Sequence, residues 1–414
     1  MKSKIFNSNF VFLVLGQTFS LFGTVVLKFT ISLLILDLTG SAALFGAITA
    51  ISYLPPIFLS PFAGILADRM NKRSLMVGMD CFYSITAILL ALSLSVANVL
   101  IPIAVAMIAM SVVSSFETPV VQSSIPLIQD KDTLIRSNAV VSQVNMLSNL
   151  LGPLVAGALY ALVSENNLSG VRMISFCCAV FFLGAALLEI LIKIPKTQQQ
   201  AAKNNIYAVK QDLFDGVQFI VKEKPYVCNA ILLNAAFVLL IQPLITIGAP
   251  FIIRVVLNLN SILNGTSQAV MGAAGLVGGL LAGLIAPKFK TSKIYQLFWI
   301  MGVSMACFGI SFLFNIPSIV SYVMLVICGA IIFMSASIAG IYIMSAIQRN
   351  VPDNMLGRVM SFYGALLSAA LPIGLLLYGY LYERFVNRMY LVMCLTAILI
   401  LAVGHAGKKT YQKL

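Results

Sequence analysis

Three ionisable side chains, Lys28, Asp80 and Glu117, stand inside long apolar runs of a 414-residue chain that is only 9% charged. Such a group costs ~2.5–3.5 kcal/mol at the centre of a membrane helix on insertion scales, so each is a candidate for chemistry. For a carboxyl group, that chemistry is proton transfer, with uptake from one side and release to the other. Glu117, followed by Thr118 and Pro119, is the first candidate. It lies roughly eight residues from the nearer end of its apolar run, ~10–14 Å deep at ~1.5 Å per residue. The alternative role for it is a permanent pair with a base such as Arg69. Lys28 lies ~27 Å along its own run from Phe10, which predicts a clear separation in depth from Glu117. Its expected uses are attraction of anionic or carbonyl-rich cargo, substitution for a bound proton, or extension of the ammonium to the interface near Asp37. Gln17, Asn145, Asn149, Asn234 and Gln242 are candidates for lining a substrate cavity. Hydrogen bonds between helices, at about 1 kcal/mol each, account for them equally well.

The densest charge falls in Gly64–Arg73, where Asp68, Arg69, Lys72 and Arg73 occupy one stretch of ten residues. Apolar runs of about 20 residues flank it, so it reads as a hairpin loop between two membrane helices. Bases at such a loop anchor topology, whereas acids contribute little to it, so Asp68 calls for a further purpose. Asp80 follows Arg73 by seven residues and is read with this loop. A degenerate copy stands 219 residues later at Gly283–Lys290, with Pro287 in place of the acid.

The elements that must carry these residues follow from composition. The chain is 60% hydrophobic with a mean hydropathy of +1.00, more apolar surface than a soluble core absorbs. Twelve spans are predicted at 10–36, 42–63, 75–96, 100–122, 138–163, 171–193, 226–248, 265–286, 294–314, 317–344, 358–382 and 388–406, an all-α membrane protein with both termini on one side. The first run exceeds the ~7–15 apolar residues of a signal-peptide core and reads as a retained helix. Of the 26 Lys and Arg residues, 21 fall on the side of the termini, four (Arg172, Arg254, Arg384, Arg388) fall opposite, and Lys28 lies in a span. An excess of bases marks the cytoplasmic side, which places both termini in the cytoplasm. The net charge of +13 is thus a topology signal with some attraction to lipid headgroups, and nucleic acid is not an expected partner. The seven cysteines lie in apolar runs with no CxxC spacing, which gives no metal site. No glycine-lysine phosphate loop is present, and the spans offer single polar groups where an intramembrane enzyme needs paired acids, a His cluster or an activated nucleophile. The chain therefore reads as a non-enzyme without cofactor.

The polar stretch 194–224 divides the spans into two sets of six, giving bundles at 1–194 and 225–414 and a linker at 195–224. Within the linker Ile206, Val209, Leu213, Val217 and Ile220 recur at helical spacing, which predicts an amphipathic helix on the membrane face. A shift of 222 residues sets Leu134, Arg136, Gly152, Gly157, Leu159 and Tyr160 on Leu356, Arg358, Gly374, Gly379, Leu381 and Tyr382. Parallel repeats of six helices are a known transporter architecture with the substrate site near the bilayer midplane.

The motif Gly64-x-Leu66-Ala67-Asp68-Arg69-x-x-Lys72-Arg73 resembles the loop between helices two and three of the major facilitator superfamily. Gly16-Gln17, Ser20-Leu21, Thr39-Gly40-Ser41, Glu117-Thr118-Pro119, Leu356-Gly357-Arg358-Val359-x-Ser361 and Leu371-Pro372-Ile373-Gly374-Leu375 resemble its macrolide-efflux branch of drug exporters. Gly152-Pro153-x-x-Ala156-Gly157 resembles the superfamily's antiporter motif, with Ala156 in place of a glycine, and close helix packing explains it equally. The resemblance implies two pseudo-symmetric six-helix bundles and a cytoplasmic latch of Asp68, Arg69 and Arg73 that holds the outward-facing state. Asp80, Arg136, Gly357 and Arg358 are expected to join that latch, the carboxylate being favoured at a helix N-terminus by ~0.3–1 kcal/mol. The implied function is proton-driven antiport of amphipathic, macrolide-like small molecules out of the cell, a form of drug resistance, by a plasma-membrane monomer whose partners are substrate, protons and lipid. A lipid or lysolipid flippase of the same fold is the alternative.

Overall fold

The structure, a computed structural model, describes residues 6–59, 63, 70–95, 98–130, 133–163, 168–194, 217–285, 289–314 and 316–413. It has the expected twelve membrane-length helices: α1 Ser8–Thr39, α2 Ala42–Leu59, α3 Lys72–Ser93, α4 Leu100–Ile128, α5 Leu134–Leu162, α6 Leu168–Ile190, α7 Pro225–Val256, α8 Ser261–Ile285, α9 Ile294–Ser311, α10 Ser318–Asn350, α11 Asp353–Arg384 and α12 Met389–Lys413. No strand occurs among the described residues. Lipid offers no hydrogen-bonding partner, so a spanning segment satisfies its peptide groups within itself, as a helix does. The predicted linker helix lies outside the described residues except for its end, where residues 217–222 are helical.

Several helices outrun their apolar spans. The last continues through Lys408 and Lys409 to Lys413, because a helix does not stop where the membrane does. α7 continues past the expected end at 248, through Gly248 and Pro250, by widening into two π-turns at Leu244–Gly248 and Ile252–Val256. Such turns absorb a residue that an α-helix would reject and leave carbonyls to satisfy. Gln268 Nε2 of α8 donates to the Ile245 carbonyl at 3.4 Å, and Thr246 Oγ1 donates to that of Gln242 at 3.0 Å.

Contacts gather the helices into two compact units. The first takes α1 as far as Leu38, α2 from Ile51, and α3–α6; the second takes Thr39–Ala50 and α7–α12. Thr39-Gly40-Ser41 makes the turn from α1 into α2. Gly40 adopts φ 59°, a left-handed conformation that costs glycine nothing. Ser41 Oγ then caps α2 by accepting from Leu44 N at 3.0 Å. Within the second unit, Glu383 of α11 accepts from Ser41 Oγ and from Ala43 N at 2.9 Å, a carboxylate at a helix N-terminus. One helical turn on, α2 and α11 meet at two glycines, since a Cβ on Gly46 would stand 3.2 Å from Cα of Gly379.

The repeat is visible in the packing of each unit. In the first, Gly152 of α5 meets Val25 of α1, and a Cβ there would overlap Val25 Cγ1. In the second, Gly374 of α11 meets α7, and a Cβ there would lie 2.6 Å from the Leu239 carbonyl oxygen. The paired tyrosines are both buried. Tyr160 donates from its hydroxyl to Asp37 Oδ2 at the end of α1 at 2.8 Å. Tyr382 lays its ring along Phe251 of α7, with centroids 6.4 Å apart and planes 17° apart.

Candidate functional site

Helical spacing puts Gln17, Ser20, Thr24 and Lys28 on one face of α1, at i, i+3, i+7 and i+11. That face meets α3 and α6 in the core of the first unit, and small residues let it come close. Gly16 lies so near Glu189 of α6 that a Cβ on it would stand 2.9 Å from Glu189 Cγ; a Cβ on Gly23 would stand 3.1 Å from the Phe182 ring. Phe182 in turn packs on Tyr83 of α3 with ring centroids 5.2 Å apart. Ser84 of α3 donates to the Ala179 carbonyl of α6 at 3.0 Å.

Into this seam project three carboxyl groups from three helices: Asp80 (3% exposed), Glu117 (7%) and Glu189 (1%). Each has one oxygen that receives a donor. Ser20 Oγ donates to Asp80 Oδ1 at 2.6 Å, Tyr83 OH to Glu117 Oε2 at 3.1 Å and Gln17 Nε2 to Glu189 Oε1 at 3.4 Å. The other oxygen of each, Asp80 Oδ2, Glu117 Oε1 and Glu189 Oε2, is buried and meets no donor among the described residues. Asp80 and Glu189 lie within hydrogen-bonding reach of one another and within the electrostatic field of Glu117. Lys28 supplies the positive charge that acts on Glu117. In an apolar surrounding an unsatisfied carboxylate is costly, and a proton or a cation relieves it.

An apolar layer closes one side of this cluster. Phe10, Leu13, Met76, Val120, Val121, Ile125, Ile128 and Val141 of α1, α3, α4 and α5 pack together with Ile192, just past α6. The register is the same on three of the helices, where Leu13 and Gln17, Met76 and Asp80, and Val121 and Glu117 are each four residues, about one turn, apart; Ile192, just past α6, donates its N–H to the Glu189 carbonyl at 3.1 Å. The carboxyls therefore form a level, one turn from a plug.

Of the residues singled out in the sequence, the structure brings Gln17, Lys28, Asp80 and Glu117 together. Asp80, read with the loop before α3, contacts Ser20 of α1 and Glu189 of α6. Lys28, not expected to pair directly with Glu117, acts on it electrostatically, while the hydrogen bond to Glu117 comes from Tyr83. Glu189 escaped notice because it stands near the end of its apolar run, where acids read as boundary residues. The available signal was its helical register with Phe182, Ala185 and Ala186, the buried face of α6.

The remaining candidates are dispersed. Asn145 and Asn149 are exposed on α5 and donate to carbonyls one turn back, of Val141 at 3.3 Å and Asn145 at 2.8 Å. Asn234 of α7 is buried and donates to Tyr363 OH of α11 at 2.7 Å, and Gln242 is half-buried. Asp68 and Arg69 lie outside the described residues, as do Pro287 and Lys288 of the degenerate copy. Arg73 and Arg358 are half-buried, while Arg136 and Gly357 are exposed. Asn71 Oδ1 accepts from Ser74 N at 3.3 Å and so caps α3 where the loop ends. Gly152, Pro153 and Gly157 are all buried on α5.

The family model described as Major Facilitator Superfamily matches residues 13–375. Macrolide efflux protein A of Streptococcus pyogenes is 24% identical over 399 residues, 94% of this chain and 93% of that protein. The staphyloferrin A transporter of Staphylococcus aureus is 24% identical over 88% of this chain and 87% of its own length. Among solved structures, a bacterial homologue of the iron transporter ferroportin in its inward-facing state superposes with a TM-score of 0.75 at 15% identity, covering 96% of this chain and 98% of that one.

Proposed function

Because this chain belongs to the Major Facilitator Superfamily, a multi-pass membrane transporter and not an enzyme, we propose that it exports amphipathic small molecules of macrolide-like character by alternating access in exchange for protons. The observation that carries the direction and cargo class is its similarity to a macrolide efflux protein along nearly the whole of both chains. Support for protons as the driving ion comes from the three carboxyl groups held out of water in the first unit, each with an oxygen that lacks a donor. A carrier that trades cargo for protons requires such a group. The bias of Lys and Arg toward the side of the termini favours a plasma-membrane orientation with both termini in the cytoplasm.

The test is counterflow and efflux in proteoliposomes with a panel of macrolides, other drugs and lysolipids, with and without a pH gradient. Uphill macrolide movement that stops when the gradient is collapsed is the expected result. An unchanged rate removes proton coupling, and movement of lysolipid alone converts the exporter into a flippase.

A further inference from the structure

The three buried carboxyls are not equivalent. Glu117 accepts from Tyr83 and lies in the field of the positive charge of Lys28, which favours its ionised form. Asp80 and Glu189 lie within hydrogen-bonding reach of each other, with a serine hydroxyl and a glutamine amide as their other partners. Among the described residues, the other titratable neighbours that act on them are Glu117 and Tyr83, neither of them cationic. Two like charges in contact inside an apolar core cannot both persist, and a single proton between two carboxylates satisfies both. The oxygens left without a donor, Asp80 Oδ2 and Glu189 Oε2, are those that such a proton would serve. The three carboxyls do not converge on one point as the ligands of a metal ion do.

We propose that Asp80 and Glu189 form a carboxyl pair that holds one shared proton, and that this pair, rather than Glu117, binds and releases the proton exchanged in transport. The assignment of the exchanged proton rests on the proton-coupled reading above; the shared proton itself does not. On loading, one O–H bond forms on either carboxyl and the second carboxylate accepts from it. On release that O–H breaks and the proton leaves to water, with no other bond changed. Ser20 and Gln17 are positioning residues that orient the two groups. Gly16 is the position at which a side chain would push Glu189 out of contact, its Cβ meeting Glu189 Cγ at 2.9 Å. Glu117, with the Tyr83 hydroxyl on it and the Lys28 charge acting on it, stands beside the site.

The prediction is read by infrared spectroscopy of the full chain in lipid nanodiscs, through the carbonyl stretch of a protonated carboxyl group and its shift in heavy water. Wild type at neutral pH is expected to show this band, and Glu117→Gln to keep it. Asp80→Asn and Glu189→Gln are each expected to lose it, because an amide supplies an N–H where the shared proton lay. Monodisperse elution checks that each variant is folded. Absence of the band in wild type, its survival in both Asp80→Asn and Glu189→Gln, or its loss in Glu117→Gln alone overturns the proposal. So does displacement of the band by Na⁺ at constant pH, which would make the pair a cation site. Should the band behave as expected while efflux ignores the pH gradient, the shared proton stands and proton-coupled export falls. Should the gradient drive efflux with no such band, export stands and the pair falls.

Discussion

Lys28 and Gly16 show how the residue types of this site follow from their neighbours. With the Lys28 ammonium removed, Glu117 keeps only the Tyr83 hydroxyl, and an uncompensated buried carboxylate is the costlier state. Lys28→Met is therefore expected to add a second protonated carboxyl to the infrared spectrum at neutral pH, absent from Lys28→Met/Glu117→Gln; an unchanged spectrum would mean that Lys28 does not balance Glu117. Gly16→Val places atoms where Glu189 Cγ now sits. Overpacking of that kind costs ~1–3 kcal/mol, seen as a lower midpoint of thermal unfolding in detergent, together with loss of the shared-proton band. Lys28, Asp80 and Glu117 were legible in the sequence because a charge in an apolar run is conspicuous. Their grouping was not, since it depends on which faces of α1, α3, α4 and α6 turn inward. No pattern in one strand of sequence sets that, and the uniform hydrophobicity of these helices erases the amphipathic stripe that would mark it in a soluble bundle.

Among the helices, small residues decide where two axes approach. Gly374 and Gly184 make the contrast, one at a contact with the α7 backbone and the other, on α6, with no atom within 4 Å of a built Cβ. Gly374→Ala is expected to force α11 from α7 and to cost ~1–3 kcal/mol, whereas Gly184→Ala gains up to ~1 kcal/mol of helix propensity. Thermal unfolding midpoints moving in opposite directions would bear this out; equal shifts would show that the glycine contact is not tight. The number and order of helices could be read from the polar breaks between apolar runs, and the pairing of α5 with α11 from the shift of 222 residues. The full extent of α7 could not. Gly248 and Pro250 read as a helix end, and only the freed carbonyls, met by side chains such as Gln268, make the widened turns tolerable.

At the scale of the whole chain, the first unit combines a level of carboxyl groups with an apolar plug about one turn away, built from α1, α3, α4, α5 and the residue Ile192 past α6. Replacing plug residues by small polar ones, as in Val121→Ser or Ile192→Ser, is expected to let water reach the carboxyls. Liposomes carrying such a variant should then dissipate an imposed pH gradient in the absence of any drug, several-fold faster than with wild type, as followed by a trapped pH dye. A rate equal to wild type would place the barrier elsewhere. If the carboxyls carry the exchanged proton as proposed, then in electrical language the plug is an insulator in series with a charge store, and the thickness of one helical turn separates a working engine from a short circuit. On the proton-exchange reading, a transporter built this way draws on the cell's battery only when cargo moves, and its idle leak is set by the quality of hydrocarbon packing around Phe10, Val121 and Ile192.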